Sequence, residues 1–383
     1  MSDRFDVAVV GLGVMGAMAT WQAAEQGAKV IAFEQFDPGH PNGASHGGSR
    51  IFRTLGAEGK HYVPLAKTSL ALYQALGQKS GQPLLTLCGG LAVAPGESRL
   101  IADAMANAAA HGIPFECLTR QAMGLRFPQF SLASGDLGLY EPSAGVIRPE
   151  ASVLAAIAVA VRQGARIERR SRCLDIQADR AGKHLKLITD TGTFNASKVI
   201  LATGGWFNHF ARKLDCPIRL QRSTLSWFKS LEDPSGYGPS SFPVFTYKSG
   251  ALDGWGIPDI DGMGVKVGVS SASIEKKLWL DRPEDNKGRQ PDDKELQPVS
   301  DFVAAALPGL SARPAFARPC MSAQAPDGDF ILGQSDRLPG FVLCGGFAGH
   351  GFKHAPAVGL AAAQLALEGA TTVPIQAFSP DRF

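Results

Sequence analysis

The chain of 383 residues exceeds the size at which one hydrophobic core usually keeps growing, so two domains are expected. Hydrophobic residues at 45% and charged residues at 19% describe an ordinary globular protein. A formal net charge of +3, with no long block of Lys and Arg, excludes an electrostatic basis for binding nucleic acid or an anionic membrane.

The amino terminus, MSDRFDVAVVG, runs from a polar stub straight into an apolar strand, without the basic region and cleavable apolar segment of a secretory signal. Phe5 to Val10 is predicted as a buried parallel strand, apolar except for Asp6. Gly11, Gly13 and Gly16 complete GxGxxG, and a helix pattern follows through Ala24. Lys29 to Phe33 forms a second buried strand closed by Glu34, 18 residues after Gly16. In such a βαβ unit the first glycine permits the tight turn and the second lets a pyrophosphate approach the backbone. The third lets helix and strand pack closely. The helix amino terminus offers free N–H groups to phosphate, and Glu34 suits ribose hydroxyls, which disfavours a 2′-phosphate. The motif implies a dinucleotide and does not choose between NAD and FAD.

Next comes HPNGASHGGSRIFR (40 to 53), a loop of small and polar residues. It is either a solvated turn with incidental charge or a flexible wrap around a cofactor, with His46, Arg50 and Arg53 facing a cavity. Helices are predicted over 62–79, over an exposed stretch at 99–111, and from Pro149 to Gln163, with proline near its start. Strands and hairpins follow, ending in a buried strand, Lys198 to Leu201, that breaks at Ala202-Thr203-Gly204-Gly205 as if returning to the nucleotide sheet. From Pro217 to Val269, short aromatic-rich strands suggest the antiparallel sheet of a second domain. Residues 281–295 read as a charged, solvated loop, and 341–369 as a strand, a glycine-rich turn and a small-residue helix. The most apolar run, VLAAIAVAV, is too short to span a bilayer. The six cysteines lack metal-ligand spacing; most should be reduced and buried, consistent with a cytoplasmic protein and no metal.

Taken together, GLGVMG with Glu34, SHGGSRIFR, YVPLA (62 to 66), EPSAGV (141 to 146), ATGGW (202 to 206) and GVKVG (264 to 268) resemble one family. Cys320 followed by PDGDFILG, and GFAGHGFKH (346 to 354), complete the set in the same order. The chain is similar to the monomeric sarcosine oxidase and N-methyltryptophan oxidase flavoenzymes. The resemblance implies an α/β (α+β) fold: a Rossmann-like FAD-binding domain with an inserted domain whose mixed, largely antiparallel sheet of eight strands roofs a cavity over the flavin. The expected boundaries are 1–85, 145–216 and 318–383 for the FAD domain, and 86–144 and 217–317 for the substrate domain. The implied activity is oxidation of a secondary amino acid at a C–N bond, giving an imine that hydrolyses while O2 becomes H2O2, in a monomer.

By the same resemblance FAD is held covalently through its 8α-methyl group at Cys320. Along the cofactor lie Gly11, Gly13, Val14, Met15, Gly16, Glu34, Gln35, Ser45, Arg50, Ile51, Cys173, Thr203 and Gly204, then Gly346, Phe347, Gly349, His350, Gly351, Phe352 and Lys353. Arg53 and Lys353 match the pair that grips the substrate carboxylate, a task suited to an arginine fork and a point-charge lysine. Lys266 matches the lysine beside the flavin ring that assists oxygen, Arg50 would stabilise reduced flavin, and His46 is a cavity residue that accepts a proton. Trp255, Ser270 and Ser322 fall on the substrate wall. Ser270 and Ser322 stand where the family often has histidine and tyrosine, so a roomier pocket is expected, for a bulkier amine such as pipecolate or a glycated amino acid. The rival readings are an NAD-dependent dehydrogenase, a flavin dehydrogenase with another electron acceptor, and a non-catalytic flavin-binding protein.

Overall fold

The computed structural model describes every residue except 1–3, 57, 180–183, 213, 215, 271–276 and 287. The fold is mixed α/β, built on two large sheets. In the first, the strands Cys173–Ala178, Leu185–Thr189, Thr193–Leu201, Arg4–Val10, Val30–Glu34 and Arg166–Arg169 lie side by side in that order. Arg4–Val10 pairs in parallel with both Val30–Glu34 and Thr193–Leu201, so the strand that ends in ATGG does return to the nucleotide sheet. Phe341–Gly345 also joins Thr193–Leu201 in parallel, bringing the carboxyl-terminal glycine turn to the same end.

Two helices cover one face of this sheet, Val14–Glu25 and Ala355–Glu368, and their sequences explain how closely they pack. The second is rich in alanine, and a Cβ at its Gly359 would lie 2.6 Å from the backbone of Met18. Close approach buries Met18, Trp21 and Val358 completely, each large apolar side chain contributing about 1.5–3 kcal/mol. No described helix is long and apolar enough to cross a membrane.

The second sheet has nine strands rather than the eight implied by resemblance. Its order runs Trp279–Leu280, Arg219–Phe228, Val265–Val269, Leu252–Ile257, Val244–Ser249, Gly90–Pro95, Asp136–Glu141 and Glu116–Thr119. Phe316–Gln324 pairs with Arg219–Phe228 from Arg219 to Trp227. The contact of Val244–Ser249 with Gly90–Pro95 is parallel and the others are antiparallel.

Two loop expectations are corrected. Arg50–Phe52, inside the segment read as irregular, is a short strand paired with Gly145–Ile147. The charged stretch 281–295 is not solvated at its end, because a helix, Asp293–Ala306, begins there with a capping box between Asp292 and Glu295. Glu295 also takes Nε of the fully buried Arg222 at 2.6 Å, and Asn286 takes a second guanidinium nitrogen at 2.6 Å. Removing one partner of such a buried pair costs about 3–5 kcal/mol.

Candidate active site

The glycine turn is built as the spacing requires. Gly11 sits at φ 90°, and a Cβ there would lie 2.6 Å from the Ala202 carbonyl oxygen. A Cβ on Gly16 would fall 1.8 Å from the Gly11 carbonyl oxygen, so both positions exclude any side chain. Val14 N–H donates to Ser45 Oγ at 3.0 Å, drawing the 40–53 segment over the helix amino terminus. Glu34 is buried and accepts from the Leu12 and Phe36 N–H groups at 2.9 and 3.0 Å, with His40 Nε2 3.2 Å away. Burial opposes its ionisation, but hydrogen bonding and charge from His40, with the two amides, hold its carboxyl below the usual range. A carboxylate has about four lone-pair sites, which leaves acceptor capacity for a ribose.

One continuous cavity of about 1880 Å³ runs from this turn to the second sheet. Pockets for one drug-sized ligand span about 300–1,000 Å³, so the space suits a dinucleotide and a further small molecule. Of the residues expected along a cofactor, all line it except Gly16, which packs behind Gly11. Cys320 is buried on the strand Phe316–Gln324, with its Sγ 3.9 Å from a guanidinium nitrogen of Arg50. The cavity size, the glycine cradle and the thiol beside a fixed cation fit FAD.

On the sheet face, Thr246 and Trp255 are register partners, as are Trp255 and Gly268. The indole lies across Gly268, where a Cβ would meet the ring at 2.4 Å. Arg53 donates to Thr246 Oγ1 at 3.3 Å and to Glu58 Oε1 at 3.0 Å, and Lys353 donates to the same oxygen at 2.7 Å. Lys353 is buried, and burial lowers its pKa while Glu58 counteracts. Burial works against a charged Glu58 as well, but Arg53 and then Lys353 hold its carboxyl well below the usual range. Glu58 carries no motif, and its place is visible only after the chain brings residues 53, 58 and 353 together. Ser270 and Ser322 also line the cavity, and Ser322 lies near Gln324 Nε2 at 3.4 Å.

Besides Gly16, two expected site residues, Lys266 and His46, do not line the cavity. Lys266 is 1% exposed and donates to the carbonyls of Gly47 and Ser49 at 3.0 and 2.8 Å. Burial drives its pKa well down, assisted by the positive charge of Arg50. His46 is 2% exposed, neither ring nitrogen has a hydrogen-bond partner, and burial followed by Arg50 pushes its pKa down to about 4. His46 therefore lies behind the cavity wall rather than on it, in the loop that leads into the short strand Arg50–Phe52. A missed carboxylate, Glu150, fixes those glycines by accepting from Gly47 N–H at 2.6 Å and from Gly48 N–H at 3.1 and 3.2 Å.

The profile of the family described as FAD dependent oxidoreductase matches residues 6–365. A monomeric sarcosine oxidase from Streptomyces avermitilis is 33% identical over 386 aligned positions, covering 100% of this chain and 98% of the relative. An N-methyl-L-tryptophan oxidase from Yersinia pestis is 28% identical over 99% of both chains. Among solved structures, NikD, an unusual amino acid oxidase essential for nikkomycin biosynthesis, superimposes with a TM-score of 0.83 at 23% identity. It covers 99% of this chain and 98% of that one, a likeness of fold.

Proposed function

The chain belongs to the FAD dependent oxidoreductase family, and from that premise we propose that it oxidises the C–N bond of a secondary amino acid. The observation that carries this reading is Glu58 Oε1 held between Arg53 and Lys353 on the cavity wall. A guanidinium and an ammonium already converge on one carboxylate oxygen, which is the charge-assisted geometry a substrate carboxylate needs. Substrate takes this place as Glu58 withdraws. The fork then fixes one end of the amino acid, and the indole of Trp255 bounds the space beside it.

FAD, when bound, would supply the acceptor for the hydride equivalent lost from the C–H bond next to nitrogen, as C–N becomes C=N, and the route of its two electrons to O2. Gly11, Gly13, Val14 and Ser45 would hold its phosphates, Glu34 its ribose, and Cys320 its 8α carbon through a thioether. Arg50 supplies a fixed positive charge at that end of the cavity, and Lys266 adds a second behind it. Ser270 and Ser322 leave the wall free of bulky side chains, which supports a substrate larger than N-methylglycine. The six free cysteines support a cytoplasmic location, and the likeness to monomeric relatives supports a single-chain enzyme.

The test is anaerobic mixing of the yellow holoenzyme with N-methylglycine, N-methyltryptophan, pipecolate and a glycated amino acid. Bleaching by the bulkier amines at lower concentration than by N-methylglycine is expected. Preference for N-methylglycine would overturn the roomier pocket, and bleaching by none would overturn the reaction class. Acid precipitation addresses the anchor: colour stays in the pellet for the native chain and leaves it for Cys320→Ser.

A further inference from the structure

The buried ammonium of Lys266 has three N–H bonds and two hydrogen-bond acceptors, the Gly47 and Ser49 carbonyl oxygens. Among the described residues no carboxylate approaches within ion-pair distance of it. The third direction is filled by an aromatic face: Nζ lies over the Trp227 ring, 5.2 Å from its centroid. A cation within about 6 Å of an indole face is attracted by the ring quadrupole, most strongly where water is excluded. Both side chains are excluded from water, at 5% and 1% exposure.

Strand register makes this contact a built feature. Trp227 and Lys266 are direct cross-strand partners, and Trp227 is in turn opposite Phe316. The Phe316 ring, 5.3 Å away, supports the indole from the far side. Leu225, Trp227 and Cys320 belong to one buried cluster, which joins the indole to the strand whose Cys320 lines the cavity beside Arg50.

We propose that Trp227 is a positioning residue for Lys266, its indole face acting as the third acceptor that keeps the buried ammonium charged and aimed at the Gly47–Arg50 segment. This rests on the oxidative function proposed above, in which Lys266 supplies positive charge behind the cavity. Other groups surround the lysine from every side. Arg50 from its short strand opposes the charge, as does burial itself. Cys320, one strand beyond that of Trp227, Glu150 at a helix start and Asp261 in a loop favour it. His46 is neutral near neutral pH. None of these donates an acceptor atom to Nζ, whereas Trp227 touches it.

The experiment uses oxidised holoenzyme with 15N-labelled lysine side chains, and Lys266→Met identifies the resonance. The titration midpoint of Lys266 is followed by NMR in the native chain, Trp227→Phe, Trp227→Leu and Phe316→Leu. Removing an attraction for the charged form lowers the midpoint. Trp227→Leu should lower it by about one pH unit and Trp227→Phe by less. Phe316→Leu, which loosens packing but keeps the indole, should leave it in place. In stopped flow, reoxidation of the reduced enzyme by O2 should lose its alkaline limb at correspondingly lower pH in Trp227→Leu, with anaerobic reduction by amine unchanged. An unmoved midpoint in Trp227→Leu, or an equal shift in Phe316→Leu, would overturn the proposal. The titration needs no substrate, so failure of every amine to bleach the flavin would sink the proposed function while leaving this inference decided.

Discussion

The nucleotide turn and the sheet face above the cavity are two ends of one site, made in opposite ways. At the turn, backbone does the work: Gly11 and Gly16 leave no space for a Cβ, and helix N–H groups point outward. On the sheet face, side chains do it, drawn from residues as distant as Arg53, Glu58 and Lys353, or Trp227 and Lys266. A backbone site depends on local spacing and fails when a side chain is added. A side-chain site depends on topology and fails when one is removed.

The largest expected effect is on the backbone end. Gly11→Ala introduces a Cβ 2.6 Å from a carbonyl oxygen at a φ of 90°, and should cost about 3 kcal/mol or more together with flavin retention. Urea unfolding and the flavin-to-protein absorbance ratio measure both; full retention would show that the turn can open. On the sheet face, Lys353→Met should lower kcat/KM for the amino acid about 100-fold, mostly through KM, and should also lower stability, because it strips one cation from the buried Glu58 carboxylate. Glu58→Gln breaks the symmetry in the other direction. It removes the internal carboxylate from the fork, so KM should fall about tenfold, and a rise would show that Glu58 shapes the site rather than competing for it.

How much of this was legible in the sequence follows from the same contrast. The βαβ unit was readable because Gly11, Gly13, Gly16 and Glu34 act through spacing along one short stretch. The return of the ATGG strand was readable because a buried apolar strand ending in glycine has few places to go. Glu58 was not readable, since a lone glutamate in a loop acquires meaning only when Lys353, 295 residues on, reaches it. Trp227 looked like one more aromatic in an aromatic-rich strand. The burial of His46 was not readable, because its loop reads as flexible until Glu150, 103 residues on from Gly47, holds the glycines that follow it. Glu295 was taken as solvated because nothing nearby in sequence announces the buried Arg222.

Buried histidines on the sheet side give a pH signature that the glycine turn lacks. His46 has a folded pKa of about 4 against an ordinary value of 6.5. Between those values the unfolded chain binds a proton that the folded chain refuses, so stability is full above pH 6.5 and falls as pH drops toward 4. The expected loss is about 3 kcal/mol from this residue, and His46→Ala should flatten that slope of stability against pH. A slope unchanged by the substitution would mean that the imidazole gains a proton partner in solution. The smallest effect is at His354, fully buried among Tyr62, Phe330 and His350 with both ring nitrogens unpartnered. His354→Leu removes an unsatisfied polar group and should be neutral or stabilising by about 1 kcal/mol in thermal unfolding. A loss of more than about 2 kcal/mol would reveal a hydrogen bond there.

The two ends of the cavity meet in the proposed reaction, oxidation of a secondary amino acid with the electrons passed to oxygen. Stoichiometry tests it most directly. With the preferred amine in air-saturated buffer, one O2 consumed and one H2O2 formed per amine oxidised is the predicted result. Flavin that the amine bleaches but only an added electron acceptor restores, with no peroxide, would contradict it.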